Sequence, residues 1–392
     1  RTCRSWHGRG CSRIGVRSES REPLSSTAGK EVRYGDSADP VRTDGRDIDS
    51  TLGELSGEAS GQQVKSGDPH LQEITPRPWR EPPPVDAEDP TYYGRPLLKK
   101  SVWSIDIPLY YFTGGAAGAA LALGAALQLR NRPELRRLAQ HCHWIGIAGS
   151  TLGGALLIHD LGRPSRFLNM LRVFRPTSPM NMGAWILGGA APTAIATGLF
   201  INRPGALGAI GNVMGYLAGL FGAALAGYTG VLVSNSAIPV WQDARRWMPV
   251  LFVGSAMASA ASILDLMYED EAANRVSFLF GTAGRIAEIA ASKCVEASAS
   301  VVPKVGEPFR KGATSLFWKT ATALTVASLV LSMMPVKSSR KRHVAGVLGA
   351  LGSLAMRFAV HYISNASARE PRASFHQQRA RMESPDRNAP AG

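Results

Sequence analysis

Three stretches of this chain place ionisable or hydrogen-bonding side chains beside long apolar runs, where such groups are costly. The first, YYGRPLLKKSVWSIDIPLYYF at 92–112, sets Asp106 just below an aromatic rim of Trp103, Tyr110 and Tyr111. Rings at such a position also form the ordinary aromatic belt of a membrane interface. A carboxylate at a helix mouth can receive a proton or hold a polar headgroup. The second stretch, LLIHDLGRPSRFLNMLRVFRPTSPM at 156–180, closes a helix with His159 and Asp160, and Gly162 with Pro164 ends it sharply. Arg163, Arg166, Arg172 and Arg175 follow in a short loop. Clustered guanidinium groups there suit lipid phosphates, an acidic partner subunit or a reduced, anionic ligand. The third, GYTGVLVSNSAIPVW at 227–241, carries Tyr228 about two turns from a helix end, on the same side as Asp106 and His159. A buried tyrosine hydroxyl needs a partner, which either a ligand carbonyl or another helix supplies.

Asp265, Glu288 and Lys319 are the other ionisable residues at plausible membrane depth, and either a proton path or structural salt pairing accounts for them. Cys3, Cys11, Cys142 and Cys294 form no CxxC pair and no metal-ligand spacing, so no iron–sulfur or zinc site follows from them. Cys142 and Cys294 fall on helical patterns, where inert buried thiols are expected.

The elements that must position these groups are visible once the chain is divided by composition. Its 392 residues average 45% hydrophobic with a mean hydropathy of -0.05, but polar residues concentrate at the two ends. Residues 1–100 are rich in Arg, Ser, Gly, Asp, Glu and Pro and cannot bury enough surface to offset ordering entropy, so a disordered tail is expected. A transmembrane domain is expected over 101–368 and a second disordered tail over 369–392. Apolar spans fall at about 105–129, 143–161, 182–201, 207–233, 248–267, 272–302, 315–334 and 344–364. The fold class is therefore an all-α integral membrane protein with about eight transmembrane helices in helical bundles. The sixth span carries Arg285, Glu288, Lys293 and Glu296, which fits either a bundle-interior helix or a surface helix. Small-residue steps at Gly114/Gly118, Gly149/Gly153 and Gly211/Gly215/Gly219 predict close helix packing.

The net charge of +14 does not indicate nucleic-acid binding. The Lys and Arg residues sit between apolar blocks, where they meet lipid headgroups, whereas a soluble basic domain interleaves them with its secondary structure. Loop charges split nine against ten between the two sides, which leaves orientation undecided.

Taken in order, YYGRP…W…P.YYF..GG.AG, DLGRP.RF.NMLR.F.PTSPM, YTGVL…..PVW and the closing MRFAVHYISNASARE resemble the NrfD/PsrC family of polysulfide reductase-type membrane subunits. The resemblance covers about residues 92–370. It implies eight helices, no redox cofactor of the chain's own, and a pocket for a quinone (menaquinone or ubiquinone) near the first helix. It also implies an iron–sulfur electron-transfer subunit and a molybdopterin catalytic subunit as partners, a multi-pass location in the cell's inner (cytoplasmic) membrane, and termini facing outward. Asp106 falls where the family's structural prototype has an asparagine beside the quinone. One turn on, that prototype has a histidine, whereas this chain has Leu109 and Tyr110. Tyr110 or His159 is the substitute for proton delivery that this departure leaves. Tyr228 matches the family's pocket tyrosine. The expected quinone-binding set is Asp106, Tyr110, His159, Arg163 and Tyr228, with no catalytic residue and no metal ligand.

The leading functional expectation is a quinone- or quinol-binding membrane subunit that exchanges electrons between the quinone pool and a partner iron–sulfur subunit. A haem b anchor is the first alternative, with His141, His143, His159, His343 and His361 as candidate ligands. Axial ligation needs two histidines at matching depth on different helices. A transporter or passive anchor without quinone chemistry is the second, although no internal two-fold pattern is apparent.

Overall fold

The computed structural model describes residues 98, 101, 103–161, 165–267, 270–335 and 338–383. The expected N-terminal tail, apart from Leu98 and Lys100's neighbour Ser101, and the site candidate Arg163 lie outside the described residues. The helices are α1 Asp106–Arg130, α2 Arg136–Asp160, α3 Ser165–Arg172, α4 Pro179–Phe200, α5 Ala206–Ser234 and α6 Pro239–Asp243. They continue as α7 Met248–Asp265, α8 Glu271–Ala299, α9 Glu307–Arg310, α10 Gly312–Met333, α11 Ser339–Arg369 and α12 Pro371–Glu383. A single 3-10 turn, Pro133–Leu135, links α1 to α2, and no strand occurs among the described residues. Lipid offers backbone groups no partners, so helices that satisfy their own are the expected solution.

Among the described residues α1, α4, α5, α7, α10 and α11 are long and apolar enough to cross a membrane. The other two long helices, α2 with 25 residues and α8 with 29, fall short on composition. The chain is thus an all-helical multi-pass membrane protein, with six helices among the described residues that meet both criteria. The second and sixth expected spans miss on composition because the first turns of α2 read RRLAQHCH and α8 carries charges throughout.

The central helix is α1, which packs against α2, α5, α7 and α11. Its crossing with α5 is set by glycine. A Cβ at Gly118 would lie 2.5 Å from the Gly222 carbonyl oxygen and 2.7 Å from the Ala226 nitrogen. A Cβ at Gly222 would in turn meet the Gly118 carbonyl at 2.7 Å. The backbones touch, as small-residue packing in lipid requires. Gly114, in contrast, faces only the ring of Tyr110 on its own helix.

Buried charge ties α7, α8 and α11 together. Arg285 on α8 is 1% exposed, and its Nη2 donates to Asp265 Oδ2 at 3.2 Å and to Ser262 Oγ at 3.1 Å. Glu288, one turn on, is fully buried and accepts from Ser353 Oγ on α11 at 3.3 Å. Arg357 on α11 donates to the Phe252 carbonyl at 3.0 Å and lies 4.0 Å over that residue's ring. The sixth apolar segment is therefore a helix packed into the bundle, its exposed charges Lys293 and Glu296 paired with each other at 3.2 Å. Asp265 takes structural salt pairing, while Lys319 is exposed on the face of α10.

The expectation of disorder from residue 369 is corrected by α12. Gln377 is 5% exposed and donates to the Pro239 carbonyl at 2.9 Å and to Asp243 at 2.8 Å, which fastens α12 to α6. Low apolar content suggested a free tail, and side-chain amide bonding supplies the order instead.

Two outcomes test this packing. Gly118→Ala is expected to cost about 1–3 kcal/mol of stability through overpacking, while Gly154→Ala, whose Cβ meets only Leu187 at 3.9 Å, is near neutral; unfolding midpoints in mild detergent compare them. Asp265→Ala is expected to cost about 3–5 kcal/mol by stranding buried Arg285. The double variant Asp265→Ala/Arg285→Met should recover most of that loss in the same assay.

Candidate functional site

The expected site residues Asp106, Tyr110, His159 and Tyr228 lie toward one end of the bundle, where α1 and α4 begin and α2 and α5 finish. Asp106 opens α1, at a position where the positive end of the helix dipole favours a carboxylate. His159 is the penultimate residue of α2, and its Nδ1 lies 2.7 Å from Asp106 Oδ2. The imidazole is 78% exposed and the carboxylate 14% exposed, so the pair joins the bundle edge to its surroundings. Short contact between an imidazole and a carboxylate can hold a proton on either group and pass it outward.

Ser104 completes this edge. Its Oγ lies 3.0 Å from Asp106 Oδ2 and 2.5 Å from Asp160 Oδ1, and its backbone N–H donates to the same Asp160 oxygen at 3.0 Å. A hydroxyl has one proton, so it serves one carboxylate at a time. The Asp106 N–H donates back to Ser104 Oγ at 3.2 Å, fixing the first turn of α1.

One turn further in, on the same face of α1, Tyr110 is 1% exposed, and its hydroxyl lies 3.2 Å from that of Tyr228 on α5. Glycines make the room for both rings. A Cβ at Gly183 on α4 would sit 2.1 Å from the Tyr228 ring, and one at Gly153 on α2 would sit 3.1 Å from the Tyr110 ring. The two hydroxyls hold two protons and share one bond, so one proton remains to be donated. Tyr111 is also 1% exposed and its hydroxyl bonds to no partner among the described residues. Its ring meets Trp103 edge-on at 6.4 Å and Phe252 at 5.7 Å.

Four of the five expected residues therefore form two contacts, Asp106 with His159 and Tyr110 with Tyr228, stacked one helical turn apart. Ser104, Asp160 and Tyr111 join them without having been in the expected set. Asp160 and Tyr111 stand in the motifs already singled out, whereas Ser104 carries no signal beyond its nearness to Asp106. Gly183 follows the PTSPM motif by three residues, but nothing in its spacing shows that it faces a tyrosine on another helix.

The two histidines best placed for haem ligation in the sequence, His143 and His361, do not meet. His143 lies two turns from the start of α2 and His361 two turns from the end of α11, so alternation of the helices places them at opposite ends of the bundle. His143 is buried beside Gly124, and neither ring nitrogen bonds to a partner among the described residues.

No curated protein matches the chain. The sequence model of the polysulphide reductase NrfD family, however, matches residues 97–366, which takes in α1 to most of α11 and both contacts just described. The chain belongs to the polysulphide reductase NrfD family.

Proposed function

We propose that this chain is the quinone- or quinol-binding membrane subunit of a multisubunit oxidoreductase, located in the inner (cytoplasmic) membrane. In this reading it exchanges electrons between the quinone pool and a partner iron–sulfur subunit, which a molybdopterin catalytic subunit joins. The observation that carries it is a tyrosine pair, Tyr110 buried and Tyr228 half-buried, one helical turn inside an ion pair at the bundle edge. Membership of the family supports the partner classes.

The residues present fit a quinone head. The unshared proton of the Tyr110–Tyr228 pair and the unpartnered hydroxyl of Tyr111 are donors in a dry setting, where a hydrogen bond to a carbonyl oxygen counts for most. When bound, a quinol supplies two electrons and two protons. Tyr228 and Tyr110 bind and orient the head through their hydroxyls, and the Gly183 and Gly153 walls hold their rings in place. Asp106 Oδ2 and His159 Nδ1 hold one proton between them, so the two protons pass one after the other, each released from the Nε2 side of the exposed imidazole. Ser104 keeps the Asp106 carboxylate pointed at His159. Arg163, next to this edge in sequence, is assigned a supporting electrostatic role toward an anionic reduced head.

The test is titration of a fluorescent quinol analogue against protein purified in mild detergent with its co-eluting partners. Tyr228→Phe is expected to raise the Kd about tenfold, the equivalent of one lost hydrogen bond, and Asp106→Ala is expected to weaken binding too. Gly183→Ala should do at least as much harm as Tyr228→Phe, because it displaces the ring without removing a polar group. Saturable binding that all three variants leave unchanged would sink the assignment of the site. Failure of folded wild type to bind, with no iron–sulfur protein co-eluting, would sink the electron-transfer reading itself.

A further inference from the structure

A cavity of about 800 Å³ opens between α10, α11 and the segment leading into α1. Trp103 forms part of its wall and stands edge-on to Tyr111, while neither Tyr110 nor Tyr228 lines this space. Ser101 Oγ lies 3.1 Å from Asn365 Oδ1 and ties the lead-in segment to the last turns of α11.

The lining is divided by chemistry. His361, Asn365 and Arg369 follow at one-turn intervals on α11 and form a polar ladder, with Asn365 Nδ2 3.2 Å from His361 Nε2. Phe317 and Tyr362, whose ring centroids lie 5.2 Å apart, form the apolar floor with Ala313 and Ala366. Beyond that floor α10 presents apolar side chains outward, including Leu316 at 67% and Val330 at 51% exposed. The polar ladder ends at the membrane edge and the apolar floor runs inward along the lipid-facing surface.

The basic groups at the mouth differ in their pairing among the described residues. Lys304 and Lys311, near the start of α10, are both engaged by Glu307 at 3.1 and 3.2 Å. Arg369 makes no ion pair among the described residues, and the neighbouring Glu370 carboxylate accepts instead from the Arg372 N–H at 3.3 Å. A lone guanidinium above an aromatic floor suits a phosphate attached to an acyl chain.

We propose that this groove binds one anionic phospholipid, its phosphate on Arg369, its glycerol region beside Asn365 and Thr314, and an acyl chain over Phe317 and Tyr362. The site stands apart from the Tyr110–Tyr228 pair and does not depend on the function assigned there.

The full chain is reconstituted into phosphatidylcholine vesicles carrying a minor fraction of chain-brominated phosphatidylglycerol or of chain-brominated phosphatidylcholine. Trp103 fluorescence is isolated as the difference between wild type and Trp103→Phe. Brominated phosphatidylglycerol is expected to quench that component at about one fifth the concentration that phosphatidylcholine needs. Arg369→Gln should abolish the preference, and Arg340→Gln, at the other end of α11, should leave it intact. Because Trp103→Phe alters the wall itself, native mass spectrometry of wild type and Arg369→Gln counts retained phosphatidylglycerol independently. Equal quenching by both lipids, a preference that survives Arg369→Gln, or displacement of the lipid by a quinol analogue would each overturn the proposal.

Discussion

The backbone contact between Gly118 and Gly222 is the constraint from which the site follows. Side chains can change rotamer to relieve a poor fit, but two backbones in contact cannot, so this crossing fixes the depth and rotation of α1 against α5. From there α1 runs back eight residues to Tyr110 and α5 runs forward six to Tyr228, rises of about 12 and 9 Å toward the same end of the bundle. Their hydroxyls meet because the two helices are antiparallel and pinned at that point. Gly149, whose Cβ would lie 2.8 Å from the Thr113 carbonyl, pins α2 against α1 in the same manner. That second pin brings His159 onto Asp106.

The other half of the bundle is held by different means. Here α7 and α8 also meet through glycine, since a Cβ at Gly284 would lie 2.6 Å from the Ala258 nitrogen. The distinctive feature is buried charge. Arg285, Glu288 and Arg357 sit where isolated ions are strongly disfavoured, and each has found a carboxylate, hydroxyl, carbonyl or aromatic ring. Several of their remaining polar atoms, Glu288 Oε1 and Arg357 Nε and Nη1 among them, bond to no partner among the described residues. The chemistry assigned to the tyrosine pair and the charges beneath it therefore share one feature, polar groups kept dry but not saturated.

Much of this arrangement was legible as types and sides, and little of it as contacts. The span at 105–129 matches α1 closely because its apolar residues run unbroken, whereas the span at 143–161 begins late because RRLAQHCH is helical without being apolar. The short helices α3, α6, α9 and α12 give no hydropathy signal at all. Of the glycine steps, Gly118 carries a helix crossing while Gly114 makes room for Tyr110, a distinction that spacing alone does not contain. Asp106, Tyr110, His159 and Tyr228 were assignable to one membrane end from the alternation of spans. Their pairing depends on helix rotation, which long-range packing sets, and Ser104 enters only through that packing.

The two layers of the site divide the labour that the proposed chemistry would require. A head bound at the tyrosine pair is held by the buried Tyr110 hydroxyl and the half-buried Tyr228, in surroundings that strengthen directional bonds and discourage loss of protons to bulk water. Release of those protons needs the reverse, a group in contact with water, and His159 at 78% exposed provides it. Asp106 stands between the two, bonded outward to the imidazole and one turn from the buried hydroxyls. The family prototype's pattern of asparagine and then histidine puts the imidazole on α1 itself. This chain has a tyrosine near that level and an imidazole contributed by α2 at the edge. In the proposed reading, moving the proton-accepting ring to a second helix would make the closeness of α1 and α2, and hence Gly149, part of the proton-handling arrangement as well as of the fold.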